Sequence, residues 1–262
     1  MEVQIWNKTV PYLIEDAETP NSFDTYFIDT DKPLPCIVVL PGGGYHDRAR
    51  HEGEPIARFF NTQGFHAVVV NYRVSPNRFP SGLADVQRTI RILRHNAKEW
   101  MIDPQRIVTC GFSAGGHLCA SSVLYPSIYD NDVEVDAIDA HSHMPNGAIL
   151  SYAVISMDAE YGHIGSGKHL LGEERYPIDK DDFFLAPKVS ESTPKVFLWH
   201  TSDDSCVNVK NSLIFAERLR DCNIPFELHV FPHGRHGSGL ADAYPDACQW
   251  KTLAADWVKR NI

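Results

Sequence analysis

The sequence predicts an α/β protein in which a mostly parallel central sheet carries helices on both faces. Three observations lead there. Apolar runs of strand length, at residues 36–40 and 66–72, read as strands covered on both sides. Helical stretches with one apolar face alternate with them along the chain. At residues 106–118 an apolar, β-branched run reaches Gly111-Phe112-Ser113-Ala114-Gly115, and a helix-forming stretch opens at once.

Taken in order, residues 3–6 and 23–28 read as short strands with alternating apolar residues, the antiparallel edge of the sheet. The buried run 36–40 ends in Pro41-Gly42-Gly43-Gly44-Tyr45, where consecutive glycines let the backbone turn sharply and present its N–H groups outward. Residues 54–63 form a helix closed by Gly64, a C-cap position. A second buried strand follows at 66–72, then a proline-containing loop at 75–80. Residues 83–100 predict a long helix, since Val86, Ile90, Leu93 and Ala97 share one face, and Asp103-Pro104 breaks it. Strands at 107–110, 148–155, 195–199 and 226–231 and helices at 209–222 and 246–259 complete the alternation. No repeat, low-complexity tract or linker divides the chain, so residues 1–262 are expected to form one domain. Two intervals without a strong period, 125–146 and 156–193, are expected to be irregular insertions walling the pocket.

Composition narrows the function. Apolar content of 43% and charged content of 22% are ordinary for a soluble globular protein. A formal charge of -10 argues against nucleic-acid or anionic-membrane partners, both of which call for a basic surface. No basic region followed by an apolar run opens the chain, and its apolar runs are too short to span a bilayer. Six cysteines lack C-x-x-C spacing, and Cys36, Cys110 and Cys119 fall in expected core elements, so they read as free thiols in a cytoplasmic protein. Homo-oligomerisation is left open.

The chemistry concentrates at Ser113. A strand that reverses into a helix across one residue forces that residue into a strained conformation, and small neighbours two positions either side let the elements pass closely. The hydroxyl then stands clear of the sheet, and the N–H of Ala114 sits at a helix N-terminus, where negative charge is stabilised. A dinucleotide-binding loop would need glycine where Ser113 stands. A serine nucleophile needs a base, and the base needs a group that holds its tautomer. Beyond residues 195–199 lie Asp203 and Asp204, placed where an orienting acid belongs, and spacing leaves the two competing. Beyond residues 226–231 come His233 and His236. Of the thirteen histidines, His236 fits the base better, deeper in a glycine-flanked loop. His141 and His143, two imidazoles on one face of an expected strand, lack a third ligand at recognisable spacing, so no metal is assigned. His117 reads as a packed helix residue.

These segments together resemble the α/β-hydrolase superfamily, and within it the small acetyl-xylan or carbohydrate acetyl esterases related to the hormone-sensitive-lipase-like group. The matching pieces are Pro41-Gly42-Gly43-Gly44-Tyr45, Asn71-Tyr72-Arg73, Asp85-Val86-Gln87-Arg88, Gly111 to His117, Trp199 to Asp204 and His233 to Gly237. The resemblance implies Ser113 as nucleophile, His236 as base and Asp204 as orienting acid. It implies an oxyanion hole from the backbone N–H groups of Gly43, Gly44 and Ala114, and no cofactor. Two positions depart from the pattern. Pro41 replaces the histidine that opens the HGGG form, so the bonds anchoring that turn must differ, and Asn208 stands where many relatives have proline.

The resulting expectation is a serine esterase that removes short acyl groups, acetyl foremost, from carbohydrates such as acetylated xylo-oligosaccharides through an acyl-enzyme. A small-molecule ester is the expected partner. The polar and aromatic mix of 125–146 and 156–193 favours small or hydrophilic esters. The rival readings are a peptidase of the prolyl-oligopeptidase kind, for whose gating domain there is no room, and a non-catalytic binding protein on the same fold.

Overall fold

Residues 1–14, 21–128 and 135–262 are described by a computed structural model. Its strands are β1 (Glu2–Gln4), β2 (Ser22–Tyr26), β3 (Leu34–Leu40), β4 (His66–Val70), β5 (Ile102–Phe112), β6 (Gly147–Ser151), β7 (Lys195–Thr201) and β8 (Phe226–Phe231). They form one eight-stranded sheet in the order β1-β2-β4-β3-β5-β6-β7-β8. β1 and β2 pair antiparallel at one edge, and every pair from β4 to β8 is parallel. The chain thus has the mostly parallel sheet wrapped on both faces that its apolar runs foretell.

Burial explains the runs. In β3, Cys36, Val38 and Leu40 point into one core while Ile37 and Val39 point into the other, the two-residue period of a strand with no solvent face. Helices α1 (Glu54–Thr62), α2 (Ser81–His95), α3 (Ala114–Leu124), α4 (Ile164–Leu171), α5 (Tyr176–Asp179), α6 (Lys210–Asp221) and α7 (Trp250–Asn261) cover the sheet or wall its end. α2, α3 and α6 pack on the first core, with Ile90, Leu118 and Phe215 buried there. α1 and α7 pack on the second, through Phe60, Trp250 and Trp257. Arg73 and Asp85, both buried, join the segment after β4 to α2 by a bidentate ion pair with Nη2 2.8 Å from Oδ1. Among the described residues no helix is long and apolar enough to cross a membrane.

Several expectations are corrected. The helix read over 83–100 ends at His95, because Asn96 caps it and Met101 takes a left-handed φ of 53°. Pro104 lies inside β5, at the register shift where β3 resumes pairing, and a residue without an N–H is tolerated there. β6 stops at Ser151 rather than 155, since Tyr152 turns with φ 35°. The apolar residues beyond it are buried by packing rather than strand pairing, with Ala153 against Gly116. The interval 156–193 is not irregular throughout: it contains α4 and α5. Of the interval 125–146, residues 129–134 lie outside the described residues. His141 follows a 3-10 turn at Ala137–Ala140 and not a strand, with Nε2 3.3 Å from His95 Nδ1.

Candidate active site

Ser113 occupies the junction of β5 and α3 with φ 54° and ψ -118°, a conformation a non-glycine residue holds only when its surroundings enforce it. The enforcement is visible. Ser113 N–H donates to the Ser151 carbonyl at 3.0 Å, and its carbonyl accepts from the N–H groups of His117 and Val154, each at 3.1 Å. A Cβ on Gly111 would collide with the Gly115 carbonyl, and one on Gly115 with the carbonyls of Leu40 and Pro41. Both glycines are therefore required by the close passage of strand and helix. The serine is recessed, with 8% of its surface exposed.

His236 reaches it from the loop after β8. Its Nε2 is 2.8 Å from Ser113 Oγ, and its Nδ1 is 2.7 Å from Asp204 Oδ2. A carboxylate only accepts, so Nδ1 carries the proton and Nε2 is left to accept from the serine hydroxyl. Asp204 follows β7, and its side chain is fully buried. Its other oxygen accepts the N–H groups of Cys206 and Val207, both at 2.9 Å, and His200 Nε2 stands 3.4 Å from Oδ2. Burial alone would raise the Asp204 carboxyl. The hydrogen bonds from His200 and His236 outweigh it and hold the group well below the usual carboxylate range. The neighbouring aspartate goes elsewhere: Asp203 Oδ2 lies 3.0 Å from Nδ1 of His233, at the surface. Asn208, in the same loop, accepts the Lys210 N–H through its side-chain oxygen at 2.9 Å, just ahead of α6.

The glycine turn after β3 packs beside the serine. The Gly42 carbonyl accepts from Ala49 N–H at 2.9 Å, and the Gly43 carbonyl from the N–H groups of His46 and Asp47 at 3.0 Å. In a trans peptide the N–H opposes the preceding C=O, so these bonds turn the Gly43 and Gly44 N–H groups away from the loop's interior. The histidine missing at position 41 is replaced by two other anchors that the sequence did not reveal. The Tyr72 hydroxyl donates to the Pro41 carbonyl at 2.5 Å, and the Gly42 N–H donates to Glu52 Oε2 at 2.7 Å. Glu52 stands ten positions on in an unremarked polar stretch, and only its burial at 2% exposure marks it out.

The rim is rich in imidazole. His169 on α4 donates through Nδ1 to the Gly44 carbonyl at 3.0 Å, and its ring stacks on His46 with centroids 5.0 Å apart. Burial, then the nearby His236 and His169, push His163 below its usual range. Part of the interval 156–193 thus does border the turn beside Ser113. His117 is a packed helix residue: burial lowers it to about 4, Nδ1 lies 2.9 Å from the Tyr45 hydroxyl, and Nε2–H donates to the Phe183 carbonyl.

Comparison with known proteins agrees with this architecture. The crystal structure of an acetyl ester-xyloside bifunctional hydrolase from Caldicellulosiruptor lactoaceticus superposes with a TM-score of 0.93 and 42% identity, covering 99% of this chain and 96% of that one. An acetylxylan esterase of Xylanibacter ruminicola is 32% identical over 86% of this chain and 45% of its own length. An endo-1,4-beta-xylanase B of Butyrivibrio fibrisolvens is 39% identical over 85% of this chain and 35% of its own. The chain therefore spans less than half the length of these two curated relatives. The BD-FAE family model matches residues 23–219. With that match over most of its length, the chain belongs to the BD-FAE family and has the α/β-hydrolase fold.

Proposed function

We propose that the chain is a serine esterase that releases acetyl groups from carbohydrate hydroxyls, acetylated xylo-oligosaccharides foremost. The observation that carries this reading is the hydrogen-bonded file Ser113–His236–Asp204, with separations of 2.8 and 2.7 Å. Ser113 Oγ attacks the ester carbonyl carbon as His236 Nε2 takes its proton. Asp204 keeps the proton on Nδ1 and stabilises the imidazolium that forms. Negative charge gathering on the carbonyl oxygen is met by the N–H groups of Gly43, Gly44 and Ala114, each such donor being worth about 3–4 kcal/mol. Collapse expels the sugar alkoxide, which takes the proton from His236, and leaves acetyl on Ser113. Water then attacks that ester with His236 again as base, releasing acetate and restoring the serine. No cofactor enters.

Support for the sugar ester comes from the similarity to an acetylxylan esterase and to an acetyl ester-xyloside hydrolase. The polar rim of His46, His163 and His169 suits hydroxylated substrates better than a long acyl chain. A cytoplasmic setting belongs to the same proposal and rests on the pattern of free cysteines. Acetate release from acetylated xylo-oligosaccharides is the test. Ser113→Ala should lower it by on the order of 10⁴-fold or more, and equal release by both proteins would refute the mechanism.

A further inference from the structure

Glu52 ends the short 3-10 turn Arg50–Glu52, and it is none of the groups proposed to react. Its carboxylate bridges two loops. Oε2 accepts the Gly42 N–H at 2.7 Å, and Oε1 accepts the Tyr152 hydroxyl at 2.6 Å. The Tyr152 oxygen accepts in turn the N–H of Gly239 at 3.0 Å. The neighbouring His51 adds a parallel tie, its Nε2–H donating to the Gly237 carbonyl at 2.9 Å, and lies 3.9 Å from Glu52 Oε1. Gly237 follows His236 directly and Gly239 stands three positions after it, so the turn that would bind the oxyanion and the loop that carries the base hang from one buried hydrogen-bonded chain.

Tyr152 touches the base itself. Its ring stands edge-on to the His236 imidazole, with centroids 5.0 Å apart and planes at 64°. It also lies at the end of β6 with a φ of 35°, a backbone conformation that costs energy and persists only where the surroundings hold it. Burial first, then the Glu52 charge, push the phenol well above its usual range, which keeps it a donor. A buried carboxylate is expensive unless both oxygens are bonded, and here both are.

We infer that Glu52 and Tyr152 are positioning residues that couple the glycine turn to the His236 loop, holding oxyanion donors and proton acceptor at one mutual spacing. The inference rests on the serine mechanism proposed above. A brace of this kind acts on the transition state, where both loops are engaged at once. A support that only stabilised the fold would leave turnover of the folded enzyme untouched.

Tyr152→Phe keeps the ring and removes the hydroxyl, while Glu52→Gln keeps the shape and removes the charge. Each is measured for kcat and KM on p-nitrophenyl acetate, beside the double variant, Ser113→Ala and thermal midpoints. The downfield proton resonance of His236 Nδ1–H is followed by NMR. Each single variant should lower kcat by roughly tenfold to a hundredfold, the scale that ångström-level misplacement costs. KM should stay within about twofold, as expected when only transition-state contacts are lost. The double variant should lose no more than the worse single, because the two residues act as one unit. In Tyr152→Phe the Nδ1 resonance should shift or broaden. Folded variants with kcat within about twofold of wild type, or with additive losses, overturn the coupling. If Glu52→Gln does not fold, Tyr152→Phe decides alone. Activity retained by Ser113→Ala refutes the serine mechanism and the inference with it. An inactive Ser113→Ala beside an unimpaired Tyr152→Phe overturns the coupling only.

Discussion

Asp204–His236 and Asp203–His233 are built from the same two side chains and hang from the same two loops. The pairs differ in what surrounds them. The Asp204 side chain is fully buried, holds His236 at 2.7 Å and takes two further backbone N–H groups. Asp203 and His233 meet at 3.0 Å with about half and four fifths of their side chains in solvent. Only His236 has a third partner, the hydroxyl of Ser113. The contrast teaches that an aspartate–histidine contact acquires chemical meaning from desolvation and from what the far nitrogen faces. An exposed pair is screened by water and contributes little.

Exchanging the members of the pairs one at a time puts that comparison at risk. The largest expected effect is on the imidazoles: His236→Ala should cut esterase kcat by on the order of 10³–10⁴-fold or more, while His233→Ala leaves it within about twofold. Steady-state kinetics on p-nitrophenyl acetate checks both, and a comparable loss from His233→Ala would erase the distinction. Next come the acids. Asp204→Asn should lower kcat by roughly 10²–10⁴-fold through loss of the imidazole's tautomer, whereas Asp203→Asn should be nearly silent. A larger loss from Asp203→Asn would transfer the orienting role.

The smallest effect is on acid stability. Asp204 is held well below its ordinary range in the folded protein, so the unfolded chain binds its proton first as pH falls. Its contribution is complete above the ordinary carboxylate pKa of about 3.9 and is lost as pH drops below it. Denaturant melts below about pH 4 should therefore show a shallower acid loss for Asp204→Asn than for wild type. Asp203 is also lowered, by the His233 hydrogen bond first, but at the surface solvent blunts the consequence. Its Asn variant should follow the wild-type curve, and identical curves for all three proteins would break the contrast.

What could be read beforehand follows from where a requirement is local. The elbow at Ser113 was legible because a strand–turn–helix reversal excludes any Cβ at Gly111 and Gly115, a steric demand written in adjacent residues. The strands were legible as apolar runs, yet their ends were not, since burial continues at Ala153 and Val154 after pairing stops at Ser151. α4 was hidden because Gly165 and Gly167 interrupt its short apolar period. Glu52 could not be found at all: a glutamate beside His51 reads as solvated surface until a distant tyrosine closes over it.

The order of residues alone determined the alternation of strands and helices, the strained serine and the set of candidate acids and bases, because each depends on neighbours within a turn or two. The tertiary structure decided which aspartate and which histidine face Ser113, and how a turn without its usual histidine is anchored. Those outcomes depend on burial and distance between loops far apart in the chain, and no local spacing records them.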